Sequence, residues 1–248
     1  MTDSLGYRCK FAVIAPSTNT SVQPEYDDMR PHGVTNHFSR IAIPDTKVTD
    51  ENSFMEMMEN IRSATFEATD ISMSMSPDCL IMGMSAETFW DGAEGADRLH
   101  GKMLERTGGV PVIMGSMALD AAMKAYGGIR KIGILTPYMP VGDENVRRYF
   151  TDQGYEVVNL VGLKSPSPMM IAHEPAQKLK RTAIEVSEGV DAVIQCGTNL
   201  AFAKVAAMAE FWLEKPVIAI NTATYWHALR SMGIKDQVEG FGALLADH

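Results

Sequence analysis

The sequence predicts an α/β fold of two pseudo-symmetric lobes, each a four-stranded parallel sheet flanked by helices, with the active site in the cleft between them. Three observations predict it. Short apolar runs alternate with amphipathic stretches along all 248 residues, the pattern of a parallel sheet covered on both faces. The second four runs echo the first four in order. Both sets lead into short polar loops, the place where ligands bind in open α/β sheets.

The leading strand is "KFAVIAP" (10–16); "FSRIAI" (38–43), "DCLIMGM" (78–84) and "VPVIMG" (110–115) complete the first set. Residues 50–75 read as a helix, because Phe54, Met57, Met58, Ile61, Ala64, Ala68, Ile71 and Met75 recur every three or four residues. "ALDAAMKAYGG" is a helix stopped by Gly127 and Gly128, glycine being favoured just past a helix C-terminus. The pattern restarts with "KIGILTP" (131–137), "YEVVNLVG" (155–162), "DAVIQC" (191–196) and "KPVIAIN" (215–221), with helices over 143–153, 175–188 and 199–213. The echo aligns Pro16 with Pro137, Gly83 with Cys196, Met84 with Gly197, Ser85 with Thr198 and Pro111 with Pro216. Such ordered self-similarity marks a duplicated unit. Lobe 1 is then 1–118 plus 226–248, and lobe 2 is 119–225.

A hydrophobic content of 46% is ample for a core of this size. The formal net charge of −9, with no run of lysine or arginine, excludes nucleic acid and membrane surfaces as expected partners. Cys9, Cys79 and Cys196 are odd in number and widely spaced, which argues against a disulfide framework or zinc site and for a reducing compartment. No apolar run has the form of a signal peptide or a bilayer span, so a cytoplasmic protein is expected. The eighteen methionines fall mostly at helical spacing, as core filler does. No HxH, HExxH, GxGxxG or P-loop spacing is present, so neither metal nor cofactor is expected.

Cys196 stands where a strand gives way to "GTN". A helix N-terminus there would stabilise a thiolate and lower its pKa, suiting a nucleophile or a proton donor. Across the cleft the aligned residue is Gly83, which ionises not at all. The loop "APSTNTSVQPE" (15–25) offers hydroxyls, the Asn19 amide and N–H groups to an anion. Tyr138 in "TPYMP" lies over the same cleft, and Ser85 suits an oxyanion donor. Glu87 reads as a solvated helix-start charge, Cys79 as structural and Cys9 as incidental.

These stretches, "APSTNTSVQPE", "LIMGMSAETF", "LTPYMP" and "QCGTN", resemble the aspartate/glutamate racemase superfamily, and within it the maleate cis–trans isomerase and arylmalonate decarboxylase branch. The resemblance covers nearly the whole chain. It implies a two-lobed fold working without cofactor or metal. It implies Cys196 as the catalytic proton donor, with Pro16, Ser17, Asn19, Gly83, Met84, Ser85, Tyr138, Gly197 and Thr198 around the substrate. Backbone N–H groups near Pro16–Ser17 and Gly83–Ser85 would complete an oxyanion site. Racemases and maleate isomerases carry a thiol on each wall, whereas the decarboxylases keep only the second, as Gly83 and Cys196 do here. Against that, Met84 replaces a hydroxyl residue of the decarboxylases, and Asn19 resembles the isomerase branch, where an asparagine binds substrate carboxylate.

Decarboxylation needs only stabilisation of an enediolate and one proton donor. The first reading is therefore a cofactor-independent decarboxylase of a small malonate-type dicarboxylate. Its alternatives are a cis–trans isomerase of a small dicarboxylate such as maleate, or a racemase-like isomerase. From another class comes a non-catalytic small-molecule binding protein. A homo-oligomer is compatible with all of them.

Overall fold

A computed structural model describes residues 3–43 and 51–248, the side chains of 51–58 lying outside that description. The first half contains β1 (Cys9–Pro16), α1 (Val22–Met29), β2 (Val34–Ile41), α2 (Glu51–Met73), β3 (Cys79–Met82), α3 (Gly92–Arg106), β4 (Val112–Met114) and α4 (Gly115–Tyr126). The second contains β5 (Lys131–Thr136), α5 (Pro140–Asp152), β6 (Glu156–Gly162), α6 (Ala176–Val186), β7 (Ala192–Gln195), α7 (Ala203–Leu213), β8 (Val217–Ala219), α8 (Ile220–Ser231) and α9 (Ala243–Asp247). The strands form two four-stranded sheets of identical topology, β2-β1-β3-β4 and β6-β5-β7-β8. Every pairing is parallel. Strands β3 and β7 are buried along their full length, which is why they read as unbroken apolar runs.

Strand β2 and helix α7 each depart from the expected start by four residues, and helix α3 is not among the expected elements. Strand β2 starts at Val34 rather than 38. It is an edge strand, and its first half carries Thr35, Asn36 and His37, which no apolar run betrays. Helix α3 buries only Gly92, Ala96 and Met103, too thin a stripe to stand out. Helix α7 starts at Ala203 instead of 199, leaving Cys196–Phe202 as a loop. The helix expected over 50–75 corresponds to α2; residue 50 and the side chains of Phe54, Met57 and Met58 lie outside the described residues.

Strands β4 and β8 run straight into α4 and α8, and these two helices pack on each other. At their meeting point a Cβ on Gly115 would lie 2.6 Å from Ile220 Cδ1, so a side chain there would force the tip of Ile220 to shift. Each helix then reaches into the other half. From α8, Tyr225 packs its ring against Phe11 and Tyr26, at centroid distances of 5.7 and 4.9 Å, and bonds Asn36. From α4, Asp120 accepts a bond from Tyr155, and Tyr126 donates to Glu210.

Candidate active site

The ends of β3 and β7 meet between the two halves. Thr198 N–H donates to Ser85 Oγ at 3.1 Å, and Thr198 Oγ1 donates to Gly83 O at 3.2 Å. Ser85 and Thr198, which the repeat aligns, are thus direct partners 113 residues apart. Ser85 Oγ also shares a 2.6 Å hydrogen bond with Tyr138 OH, which comes from the loop after β5. Cys196, Ser85, Thr198, Asn19 and Met84 are all buried.

Cys196 extends β7, its N–H donating to Leu135 O at 2.9 Å. Gly197 follows with φ 107°, and a Cβ there would sit 2.4 Å from Pro137 Cδ, so the turn demands glycine. Gln195 braces it, donating to Gly197 O at 2.8 Å. The thiol does not stand at a helix N-terminus, since α7 begins seven residues later, at Ala203. Its pKa is not lowered either. Burial pushes the Cys196 thiol well above its ordinary value, and the nearby negative charge of Asp143 adds to this. The resting side chain is therefore a protonated thiol. Burial likewise raises Tyr138, with the Ser85 bond opposing.

The expected oxyanion donors divide. Pro16 has no N–H, and Ser17 N–H is spent on Ile41 O at 2.8 Å. The Ser17 hydroxyl is bonded to the backbone of Ile43. Gly83 N–H is spent on Ile14 O at 2.7 Å. The N–H groups of Met84, Ser85 and Gly197 have no acceptor among the described residues, which leaves them free to donate to a ligand. The Met84 side chain is turned towards α2, where Thr65 Oγ1 lies 3.7 Å from its sulfur. Asn19 caps α1 through Oδ1, accepting from Ser21 and Val22 N–H at 3.0 Å, and donates Nδ2 to Thr198 Oγ1 at 3.2 Å. Glu87 is buried rather than solvated, 3.4 Å from Arg62, and burial raises its pKa. Cys79 is buried at the start of β3, with a pKa raised by burial.

Sequence reasoning missed two asparagines and one carboxylate. Asn199 bridges the halves: Oδ1 accepts from Thr20 N–H at 2.9 Å, its carbonyl accepts from Ser21 Oγ at 2.9 Å, and Nδ2 donates to Pro168 O at 2.9 Å and Thr18 O at 3.3 Å. Asn221 donates to Thr198 O at 2.9 Å and Glu25 Oε2 at 2.6 Å. Their partners lie up to 196 residues away, beyond the reach of local patterns.

Two matching sheets meeting around one buried thiol and a set of convergent hydroxyls define an enzyme of the Asp/Glu racemase-like fold. The sequence profile for arylmalonate decarboxylase matches residues 11–245. The chain belongs to the arylmalonate decarboxylase family. A maleate isomerase of Pseudomonas putida is 29% identical over 246 residues, covering 94% of this chain and 95% of the relative. A Nocardia farcinica maleate cis–trans isomerase, solved as a cysteine-to-serine mutant with a covalently bound succinylcysteine intermediate, superimposes with TM-score 0.85 at 20% identity, over 97% of this chain and 99% of the other. Arylmalonate decarboxylase itself superimposes with TM-score 0.76 at 18% identity, over 95% and 98%. Among the described residues, no helix is long and apolar enough to cross a membrane.

Proposed function

We propose that this protein is an isomerase of a small cis-dicarboxylate of maleate type, the alternative rather than the first reading of its sequence. The observation that carries it is the Ser85–Tyr138 hydroxyl pair, bonded at 2.6 Å beside the buried Cys196. The curated relatives by sequence are maleate isomerases, and that likeness is what favours isomerisation over decarboxylation, which the hydroxyl pair would serve equally. In this reading the Cys196 sulfur bonds one alkene carbon. The π electrons move onto the adjacent carboxylate as an enediolate, and the thiol proton neutralises it. Ser85, Tyr138 and the N–H groups of Met84, Ser85 and Gly197 supply the donors where charge develops. Rotation about the new single bond, return of the proton to sulfur and cleavage of the C–S bond release the trans product. Burial keeps the Cys196 thiol protonated at rest, and the thiolate is the nucleophile, so the proton must leave sulfur for the enediolate as the C–S bond forms.

Gly83 favours a second reading, decarboxylation. There the electron pair of the breaking C–C bond becomes the enediolate, and Cys196 alone protonates it. Both readings give the protein a small dicarboxylate as its ligand, and its three free cysteines fit a reducing compartment such as the cytoplasm. Proton NMR of maleate and of a substituted malonate incubated with the protein separates them: fumarate from maleate supports the proposal. Release of CO2 from the malonate with maleate untouched replaces it by the second reading. Turnover of neither overturns both.

A further inference from the structure

Glu25 lies on α1, yet its carboxylate works on the second half of the chain. Oε1 accepts from Ala203 N–H at 3.0 Å, the first residue of α7, and Oε2 accepts from Asn221 Nδ2 at 2.6 Å. The same Nδ2 donates to Thr198 O at 2.9 Å. Asn221 Oδ1 is buried and has no hydrogen-bond partner among the described residues. The amide is thus held by its donor side alone, against the cost of a stranded acceptor. What fixes that orientation is an acceptor that carries charge, since such bonds are about twice as strong as neutral ones. Thr198 in turn binds Ser85, Gly83 and Asn19. A continuous chain of bonds therefore runs from Glu25 to the turn that follows Cys196.

We propose that Glu25 is a positioning residue for the active-site turn: its carboxylate orients the Asn221 amide, the amide holds Thr198 O, and loss of the charge releases the turn. A protonated or amidated residue 25 presents a donor to Asn221. The amide then gains by rotating to bring Oδ1 round, which sets an acceptor against Thr198 O and breaks that bond. The role rests on the proposed function only in placing Cys196–Thr198 in the site.

The charge is poised to change. Burial pushes the Glu25 carboxyl up to about 7, while the Asn221, Ala203 and Phe202 N–H groups oppose this and Asp28 adds to it. From its own helix Tyr26 is a further titratable neighbour. Lys204, next along α7, turns its ammonium onto the Phe241 ring instead. A carboxyl raised in this way takes up its proton as pH falls through about 7, so the turn is held on the alkaline side.

Hydrogen–deuterium exchange of the peptide spanning 196–199, corrected for intrinsic rates and followed across this pH range, tests the role without relying on activity. In the parent, protection should fall roughly 10- to 100-fold as pH drops below that value, as for loss of one charge-assisted bond. Glu25→Gln should show the low protection at every pH, and Asn221→Leu the same with Glu25 intact. Should Glu25→Gln fail to fold, the parent series and Asn221→Leu decide. Parent protection independent of pH, or parent-like protection in Asn221→Leu, overturns the role. If exchange behaves as expected but no dicarboxylate is turned over, the proposed function fails and the positioning role stands.

Discussion

In the two-wall reading, replacing Gly83 by cysteine puts a second thiol opposite Cys196, and the structure sets the packing terms. Gly83 does not need a positive φ, so the backbone accepts a side chain. The added Cβ would lie 3.1 Å from Ile14 O, 3.1 Å from Val22 Cγ1 and 3.2 Å from Ala15 Cβ. These contacts are tight but not prohibitive. Val22 can yield by a few tenths of an ångström, whereas the Ile14 carbonyl is fixed by its 2.7 Å bond from Gly83 N–H. Overpacking of this kind costs about 1–3 kcal/mol, equivalent to a melting temperature lower by roughly 2–12 °C in a chain of this size. The gain is chemical. With one thiol to attack and another to handle the proton, isomerisation should accelerate at least about tenfold, the lower end of what a positioned acid or base contributes being higher still. Initial rates of fumarate formation from maleate, beside a thermal melt, measure both. A variant that melts within this range, titrates for the extra thiol and isomerises no faster would refute the two-wall reasoning.

Cys196→Ser should fold normally and lose roughly 100- to 10,000-fold in turnover, because a hydroxyl parts with its proton poorly; Cys79→Ser, tested alongside, should keep its activity and lose only stability. Ser85→Ala and Tyr138→Phe should each lower kcat by roughly 10- to 1000-fold, the range for single oxyanion donors, and unchanged steady-state kinetics in both would remove them from the site. Asp143→Asn removes a negative charge that raises the Cys196 thiol, so the pH midpoint of Cys196 alkylation should move down; an upward or absent shift contradicts that electrostatic account.

The strand cores and the duplication were legible because β1, β3, β5 and β7 are buried on both faces, and such strands announce themselves as apolar runs. Edge strand β2 starts four residues earlier than its apolar run suggests because six of its eight residues are at least partly exposed. That Ser85, Thr198 and Tyr138 come together was readable from the alignment of one half on the other. The state of the thiol was not, because burial depends on how the two halves close and no local pattern records it. Glu25, Asn199 and Asn221 were invisible for a related reason: each is a polar residue whose partners lie in the opposite half.

The crossing of α4 and α8 has a consequence for how the chain folds. Tyr225 fills a space among Phe11 and Tyr26 in the first half, while Asp120 and Tyr126 anchor α4 to Tyr155 and Glu210 in the second. Melting either sheet therefore strips the other of a helix it depends on. The boundary between the two lobes is thus bridged from both sides, and the halves are expected to melt together in one transition.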